Sequence, residues 1–185
     1  MSKMIRVGAG VLGSAVCLVL AGCATGKVKV STMAPRGAMD NYRTVAITVV
    51  NDAGPVCPEE VPAAIQSAAI RQMRVKYPNV FAEVAKIPTG SENELLVEVH
   101  ITKYKKGSRF ARAMLIGLGA SKIATTLIFL DSPTNRQLAT GQLGLTWALG
   151  GIIGASKGIE DLVDDAGRKI ANAIVEQKTG KSGQK

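Results

Sequence analysis

Residues 94–105 read Glu-Leu-Leu-Val-Glu-Val-His-Ile-Thr-Lys-Tyr-Lys, a regular alternation of apolar and polar side chains. The apolar positions are Leu95, Val97, Val99 and Ile101, and the polar positions between them are Glu98, His100 and Thr102. Successive side chains of a β-strand point to opposite faces of the sheet, so this pattern predicts a half-exposed strand. We expect it to pair antiparallel with a neighbour, because antiparallel sheets tolerate one face in water.

Five more stretches have the composition of strands or turns. Residues 122–131 predict a strand, the Ser-Pro-Thr-Asn run at 132–135 predicts a turn, and residues 137–149 return as the hairpin partner. Residues 42–51 are β-branched and nearly all apolar, which predicts a strand buried on both faces. A short strand is expected within residues 80–86.

Two amphipathic helices complete the pattern. Residues 59–77 carry apolar side chains at three- and four-residue spacings, and Pro78 ends this helix. Residues 159–175 show the same periodicity. The resulting order, β-α-β-β-β-β-α, predicts an α+β fold in which two helices pack on one face of a mixed, mostly antiparallel sheet.

The composition bounds the function. The chain has 185 residues, 46% of them hydrophobic, and a formal net charge of +9. This length is typical of one domain, and the apolar fraction excludes a wholly disordered protein. Three cysteines are too few for a disulfide-rich scaffold. Because the chain has a single histidine, we expect no His-dependent catalysis and predict no enzyme activity, no cofactor and no metal site.

The N-terminus has the pattern of an export signal. Lys3 and Arg6 precede an apolar run at residues 7–20, which is shorter than the roughly 20 apolar residues that a transmembrane helix needs. Small residues follow the run. This combination predicts a secretory signal peptide.

The residues that end this signal, Leu-Ala-Gly-Cys at 20–23, resemble the lipobox of bacterial lipoproteins. The resemblance implies cleavage between Gly22 and Cys23, and attachment of fatty acyl chains, palmitate among them, to Cys23. Several acyl chains on one residue give stable attachment to a membrane. Ala24, where an Asp would favour the inner membrane, implies an outer-membrane address facing the periplasm. An ordinary signal peptide with a coincidental cysteine is the alternative.

These features divide the chain into four segments. The second of these, a tether at 23–41, contains Lys27–Val30, which is also compatible with a short edge strand. In the domain itself, Cys57 keeps the one thiol left after cleavage and acylation, and we expect a small buried cysteine rather than an intermolecular disulfide. The segments are a signal peptide at 1–22, the lipidated Cys23 and a tether at 23–41, an α+β domain at 42–175, and a disordered tail at 176–185.

Five short motifs in order are similar to a family of bacterial envelope lipoproteins known only as a domain of unknown function. The residues after Asp131 depart from the family pattern, which has a Thr-Gly turn there. The element order is also remotely similar to the LpoB and TolB amino-terminal domains, which implies an adaptor rather than an enzyme. The motifs are Tyr42-Arg43-Thr44-Val45, Gly107-Ser108-Arg109, Gly117-Leu118-Gly119-Ala120, Asp131, and Gly150-Gly151 through to Gly158.

A cluster of cations follows the alternating strand. It contains no acidic residue, so it favours contact with an anionic surface such as lipid headgroups or cell-wall polymers. The alternative is a solvated strand end that keeps the sheet soluble. Nucleic acid is not an expected partner for a protein facing the periplasm. The cluster consists of Lys103, Lys105, Lys106, Arg109 and Arg112.

Two glycine-rich apolar stretches, at 113–121 and 143–158, leave a second function open. Small residues four apart allow close packing of helices, as in membranes, but both stretches are too short to span a bilayer. Our leading interpretation is a non-enzymatic binding or adaptor lipoprotein whose partner is an envelope protein or the cell wall. The alternative is an oligomeric, membrane-inserting envelope component that uses these two stretches.

Overall fold

The computed structural model describes residues 28–32, 34–35, 37–108, 111, 119–147 and 158–180. This part of the chain forms one mixed sheet and two α-helices. A 3₁₀ turn at Gly54–Val56 precedes the first helix. The elements are β1 (Val28–Thr32), β2 (Thr44–Asn51), α1 (Glu60–Lys76), β3 (Glu83–Ala85), β4 (Glu94–Lys105), β5 (Ser121–Asp131), β6 (Arg136–Trp147) and α2 (Ile159–Thr179).

The sheet has the strand order β1-β6-β5-β4-β2-β3. The pairs β1–β6, β6–β5 and β5–β4 are antiparallel, whereas β2 runs parallel to both β4 and β3. Parallel pairing needs a crossover connection, which α1 provides between β2 and the strands that follow it. The prediction of a mixed, mostly antiparallel sheet is confirmed.

Both helices cover the same face of this sheet. The alternating residues Leu95, Val97, Val99 and Ile101 of β4 are fully buried on that face. The buried stripe of α1 and the buried stripe of α2 join them in one hydrophobic cluster, and the two helices also pack against each other. The stripe of α1 consists of Val61, Ile65, Ala68, Ala69, Ile70 and Met73.

The second face of the sheet, which we call the open face, carries no helix in the described part of the chain. Its central row places Val50, His100, Thr126 and Gln142 side by side on four strands. Val50 is 42% exposed, so the prediction that β2 is buried on both faces is wrong for its second half. The first half is buried on both faces at Val45, Ala46 and Ile47, where the residues of β4 are also fully covered.

The ends of the domain differ from the sequence interpretation. Residues 28–32 form the edge strand β1, so this part of the predicted tether belongs to the sheet. Helix α2 continues beyond residue 175 to Thr179, where Gly180 ends it in the left-handed conformation. In this last turn Lys178 donates hydrogen bonds of 2.5 and 2.7 Å to the backbone carbonyls of Met39 and Asp40, which ties the C-terminal end of α2 to the residues before β2.

Several predicted features lie outside the described residues. They include the signal peptide at 1–22 with Gly22, the lipidation residue Cys23, and the cations Arg109 and Arg112. No described helix combines the length and the apolar character that crossing a membrane requires.

Candidate functional site

Two glycines, Gly107 and Gly119, close the base of the connection between β4 and β5. Both belong to the short motifs that resemble the envelope lipoprotein family. Gly107 has φ of +71°, and a Cβ built on it would lie 2.8 Å from the carbonyl carbon of Ala120. The amide of Ser108 donates a hydrogen bond of 2.9 Å to the carbonyl of Gly119, and Ser121 Oγ donates one of 2.5 Å to the carbonyl of Lys106. Only glycine combines this backbone angle with so close an approach, which explains Gly107 and fixes the strand register beyond it.

This register brings cations from separate strands together. Lys105 of β4 lies directly opposite Lys122 of β5, and Lys103 lies opposite Ala124. Directly opposed residues of an antiparallel pair share a face, so all three lysines lie on the open face. Lys29 of β1, opposite Gln142 in the central row, is on the same face, whereas Lys106 follows β4 and lines the cleft between the two helices. We call Lys29, Lys103, Lys105, Lys106 and Lys122 the basic surface.

The described ion pairs do not neutralise the basic surface, although Lys106 shares a cleft with Glu60, Glu160 and Asp164. All five lysines are exposed, and in the described part of the chain none of them forms an ion pair with an acidic side chain. Like charges directly opposite each other, as at Lys105 and Lys122, destabilise a sheet. Such an arrangement is electrostatically suited to an anionic partner, because the partner relieves the repulsion.

Sequence reasoning found part of this surface. Lys103, Lys105 and Lys106 lie together as predicted, while Arg109 and Arg112 are outside the described residues. Lys29 and Lys122 were missed, since only strand pairing brings them next to the others. The sequence contains a signal for Lys122, because it is the first charged residue after the connection between β4 and β5. A connection that is closed at its base pairs this residue with Lys105, the last residue of β4.

A cleft of about 350 Å³ opens beside the basic surface, between the N-terminal parts of α1 and α2. The charged residues that line this cleft are mainly acidic, in contrast to the basic surface: they are Glu60, Glu160 and Asp164, together with Lys106. Asp164 also forms an ion pair of 2.9 Å with Arg71, which links the two helices. The acids at the start of α2 therefore serve its first turn and its packing: Asp161 accepts a 2.7 Å hydrogen bond from the Gly158 amide.

His100 is half-buried on the open face rather than freely exposed. Its Nδ1 lies 2.8 Å from Asp52 Oδ2, and its Nε2 lies 3.6 Å from Glu98 Oε2. No serine, threonine or cysteine side chain of the described residues hydrogen-bonds to this imidazole. Within the described ranges the histidine therefore has carboxylate neighbours but no adjacent nucleophile of the kind that a catalytic triad needs.

Cys57 is buried, as predicted, in the loop before α1. Burial raises the pKa of its thiol, with a smaller contribution from Glu60. A raised pKa keeps the sulfur protonated and unreactive. Among the described residues no group of three or more His, Cys, Asp or Glu side chains is arranged to hold a metal ion.

The two glycine-rich stretches are described only at their ends. Residues 143–147 belong to β6, and Leu143, Leu145 and Trp147 are buried in the core beneath the helices. Ala120 and Ser121, at the end of the first stretch, are buried as well. These positions serve the fold, so they are not free to enter a membrane.

The fold is shared with solved structures of low sequence identity. Two structures of the PelC dodecamer from Paraburkholderia phytofirmans superpose with TM-scores of 0.55 and 0.54 at 12% and 13% identity, covering 86% and 87% of this chain and 100% of those chains. Protein XCC0632 from Xanthomonas campestris, of the DUF330 family, gives a TM-score of 0.49 at 13% identity, covering 80% of this chain and 92% of that one. At such identities the PelC similarity shows the fold alone.

No curated protein matches the sequence. The family model described as "Domain of unknown function (DUF4410)" matches residues 58–151, from the loop before α1 to just beyond β6. This span includes α1, the central strands β4 to β6 and four of the five lysines of the basic surface. The chain belongs to the DUF4410 family.

Proposed function

We propose that this protein is a lipid-anchored lipoprotein of the outer membrane, facing the periplasm, and that it acts as a non-enzymatic binding module for an anionic envelope component. The basic surface is the observation that carries this proposal. Four exposed lysines on β1, β4 and β5, with Lys106 just after β4 and no ion pair to an acid among the described residues, form a surface that an anionic partner would stabilise.

The anchor is proposed from the lipobox-like residues at 20–23. The sheet begins at Val28, so only the residues 24–27 separate Cys23 from the folded domain. A domain held so close to its anchor works at the membrane surface, within reach of lipid headgroups and of proteins and polymers beside them.

The buried and half-buried acids of the domain support a binding role over a catalytic one. Glu94 is fully buried and accepts hydrogen bonds from Ser132 and from the amides of Thr89 and Gly90. Asp131 accepts a hydrogen bond from Tyr42. These contacts use the carboxylates to fix turns and strand ends, which is a structural role.

A second candidate function is an oligomeric envelope component. The PelC structures that share this fold are dodecamers, and the open face offers a broad surface with the apolar residue Val50 exposed. Sedimentation of the full chain in detergent tests this candidate: a single oligomer larger than a monomer supports it, and a monomer at all concentrations contradicts it.

Two measurements test the leading proposal. Palmitate labelling of the full chain in cells should disappear in Cys23→Ala, and persistent labelling would contradict the anchor. A photo-crosslinking residue in place of the exposed Thr102 should capture an anionic envelope component, and the capture should be lost in the Lys103→Gln, Lys105→Gln, Lys122→Gln variant.

The matched control for this variant is Arg43→Gln, Lys76→Gln, Lys86→Gln, which removes the same number of exposed cations elsewhere. It should leave the crosslink intact. Equal loss in both triple variants would show that net charge, not the basic surface, determines binding. A hydrolytic activity of the purified chain that one point mutation abolishes would contradict the non-enzymatic role.

A further inference from the structure

We infer that the anionic partner of the basic surface is the headgroup layer of the same membrane that holds the anchor. The inference rests on the proposed lipidation of Cys23 and names the partner that the proposed function leaves open. Three observations carry it: the direction from which the chain enters β1, the length of chain before it, and the position of Lys103, Lys105 and Lys122 at one end of the open face.

The direction of β1 is set by its pairing with β6. Val28 lies opposite Leu143, and Thr32 lies opposite Thr140. The N-terminal end of β1 therefore points toward Trp147, the last residue of β6. Trp147 lies opposite Ser121, which precedes Lys122. The chain thus enters the domain from the end of the sheet that carries the basic surface.

The length of chain before β1 keeps the anchor at that end. The five residue steps from Cys23 to Val28 span at most about 17 Å when fully extended. The opposite end of β6, at Arg136, is seven residues from Leu143, which corresponds to roughly 24 Å along the strand. Even a chain that doubled back would not bring Cys23 to the opposite end.

The lysines are close enough to this entry point to touch the same surface. Lys122 is on β5, two strand spacings of about 4.8 Å from β1, and its row lies three residues, or roughly 10 Å, beyond that of Val28 in the direction from which the chain enters. Lys29 is the second residue of β1 itself. Each lysine near an anionic leaflet strengthens the attraction roughly fivefold, and the effect fades within a Debye length, so only cations held near the headgroups contribute.

The anchor and the lysines together fix an orientation. The end of the sheet with Lys105 and Lys122 faces the bilayer, and the opposite end, where the turn at 88–93 precedes β4, faces away. Residues 94 and 105 are the two ends of β4, which at this length is roughly 37 Å long. Headgroup contacts at the two ends are therefore easily distinguished.

Matched probes at the two ends test the orientation in the full, lipidated chain. Ser108→Cys places a thiol beside the basic surface, and Ser91→Cys places one in the distal turn; both serines are exposed. Each thiol carries an environment-sensitive fluorophore, while the buried Cys57 stays unlabelled. The proteins are bound to vesicles of phosphatidylcholine with or without phosphatidylglycerol, which contain a headgroup spin-labelled lipid as the quencher.

We expect quenching of the Ser108→Cys probe in vesicles with phosphatidylglycerol and none of the Ser91→Cys probe. Lys103→Glu, Lys105→Glu, Lys122→Glu should reduce the quenching to the level in phosphatidylcholine alone, without loss of vesicle flotation, which depends on the acyl chains. The variant Lys103→Arg, Lys105→Arg, Lys122→Arg keeps the three positive charges and should therefore retain the quenching. The distal triple Arg43→Glu, Lys76→Glu, Lys86→Glu should leave it unchanged.

Three results would overturn the inference. Equal quenching of both probes shows that the domain has no fixed orientation, and quenching insensitive to the basic-surface triple shows that these lysines do not touch the headgroups. An unquenched Ser108→Cys probe in a chain that sediments with purified peptidoglycan assigns the surface to the cell wall. Failure of the wild-type chain to float shows instead that the anchor, and with it the proposed function, is wrong.

Discussion

Gly167 of α2 lies directly against Ala68 of α1, at the point where the two helices cross. A Cβ built on Gly167 would stand 2.5 Å from Ala68 Cβ and 2.7 Å from the backbone nitrogen of Ala69. Neither atom belongs to a flexible side chain, so the helices would have to move apart to admit it. This contact sets the distance between the two helices that cover the sheet.

Gly167→Ala should therefore destabilise the protein, although alanine in a helix is normally favoured over glycine by about 1 kcal/mol. Overpacking of a tight contact costs about 1–3 kcal/mol, and here both obstructing atoms are fixed to the backbone of α1. We expect a net loss of about 1–2 kcal/mol in the free energy of unfolding by urea. Gly144→Ala, with no atom within 4 Å, should change it by less than about 0.5 kcal/mol. A higher midpoint for Gly167→Ala would contradict the packing argument.

Tyr42 and Asp131, 89 residues apart, join the start of β2 to the end of β5 by a hydrogen bond of 2.8 Å. Burial raises the pKa of Tyr42 to about 12, and the hydrogen bond to Asp131 contributes further. Tyr42→Phe should lower the free energy of unfolding by about 1.5–3 kcal/mol, because the lost bond is to a charged group. Tyr77→Phe removes a neutral bond to Asn172 and should cost about 0.5–1.5 kcal/mol.

The pH dependence of this pair follows from the sign of the shift. The folded state keeps Tyr42 protonated, so its contribution is complete below the unfolded pKa of about 10 and disappears as the pH rises toward about 12. Wild type and Tyr42→Phe should therefore converge in stability over this range. A difference between them that stays constant in alkaline solution would show that the hydroxyl has no such role.

Most of the fold could be predicted because its strands follow simple periodicities. The alternation at 94–105 gave β4 with the observed ends, and the helical spacing gave α1 to within one residue at each end. The run at 42–51 predicted a strand buried on both faces along its whole length, which is wrong for its second half. An apolar sequence does not show whether one or both faces of its strand are covered. Which half of β2 is covered depends on neighbours distant in sequence, and periodicity carries no information about them.

The candidate site was only partly predictable for the same reason. A run of cations is visible in the sequence, but the opposition of Lys105 and Lys122 depends on the register that Gly107 and Gly119 fix. Lys29 joins them through β1, an edge strand whose short, mixed sequence gives a weak signal. Residues that meet through strand pairing carry no common local pattern.

Glu94, at the start of β4, is a fully buried carboxylate that organises the neighbouring turns. Burial raises its pKa, but the hydrogen bonds from Ser132, Gly90 and Thr89 outweigh this effect and lower the pKa below its ordinary value. In Glu94→Gln one oxygen still accepts, but the NH2 group that replaces the other oxygen would face hydrogen-bond donors. We expect a loss of about 1.5–3 kcal/mol in the free energy of unfolding at neutral pH.

The depressed pKa also fixes the acid dependence of stability. Glu94 contributes fully above its unfolded pKa of about 4.3, and the contribution is lost as the pH falls through the lower folded value. The deficit of Glu94→Gln relative to wild type should shrink below about pH 4. Glu92→Gln, at an exposed neighbouring position, should change the free energy of unfolding at neutral pH by less than about 0.5 kcal/mol. An undiminished deficit in acid would point to lost packing rather than lost charge.

Lys178 near the end of α2 holds the residues that lead into β2. Its ammonium group donates to the carbonyls of Met39 and Asp40 and lies 5.6 Å from the centre of the Phe81 ring. Burial lowers the pKa of Lys178, and Asp40 opposes that shift. Without the ammonium group the Asp40 carbonyl loses this donor, and the carbonyl of the buried Met39 keeps only its 3.3 Å hydrogen bond from the Tyr42 amide among the described contacts.

Lys178→Met keeps the apolar stem and removes only the donor, so it isolates this contact. We expect faster amide hydrogen exchange across residues 37–42, and across the last turn of α2, with little change in β4 at the centre of the sheet. Lys76→Met is the matched control, because that lysine is exposed and its ammonium group also lies over an aromatic ring, that of Tyr77. If both variants exchange like wild type at 37–42, the turn is held by the burial of Met39 and Tyr42 alone, and the tie from α2 is dispensable.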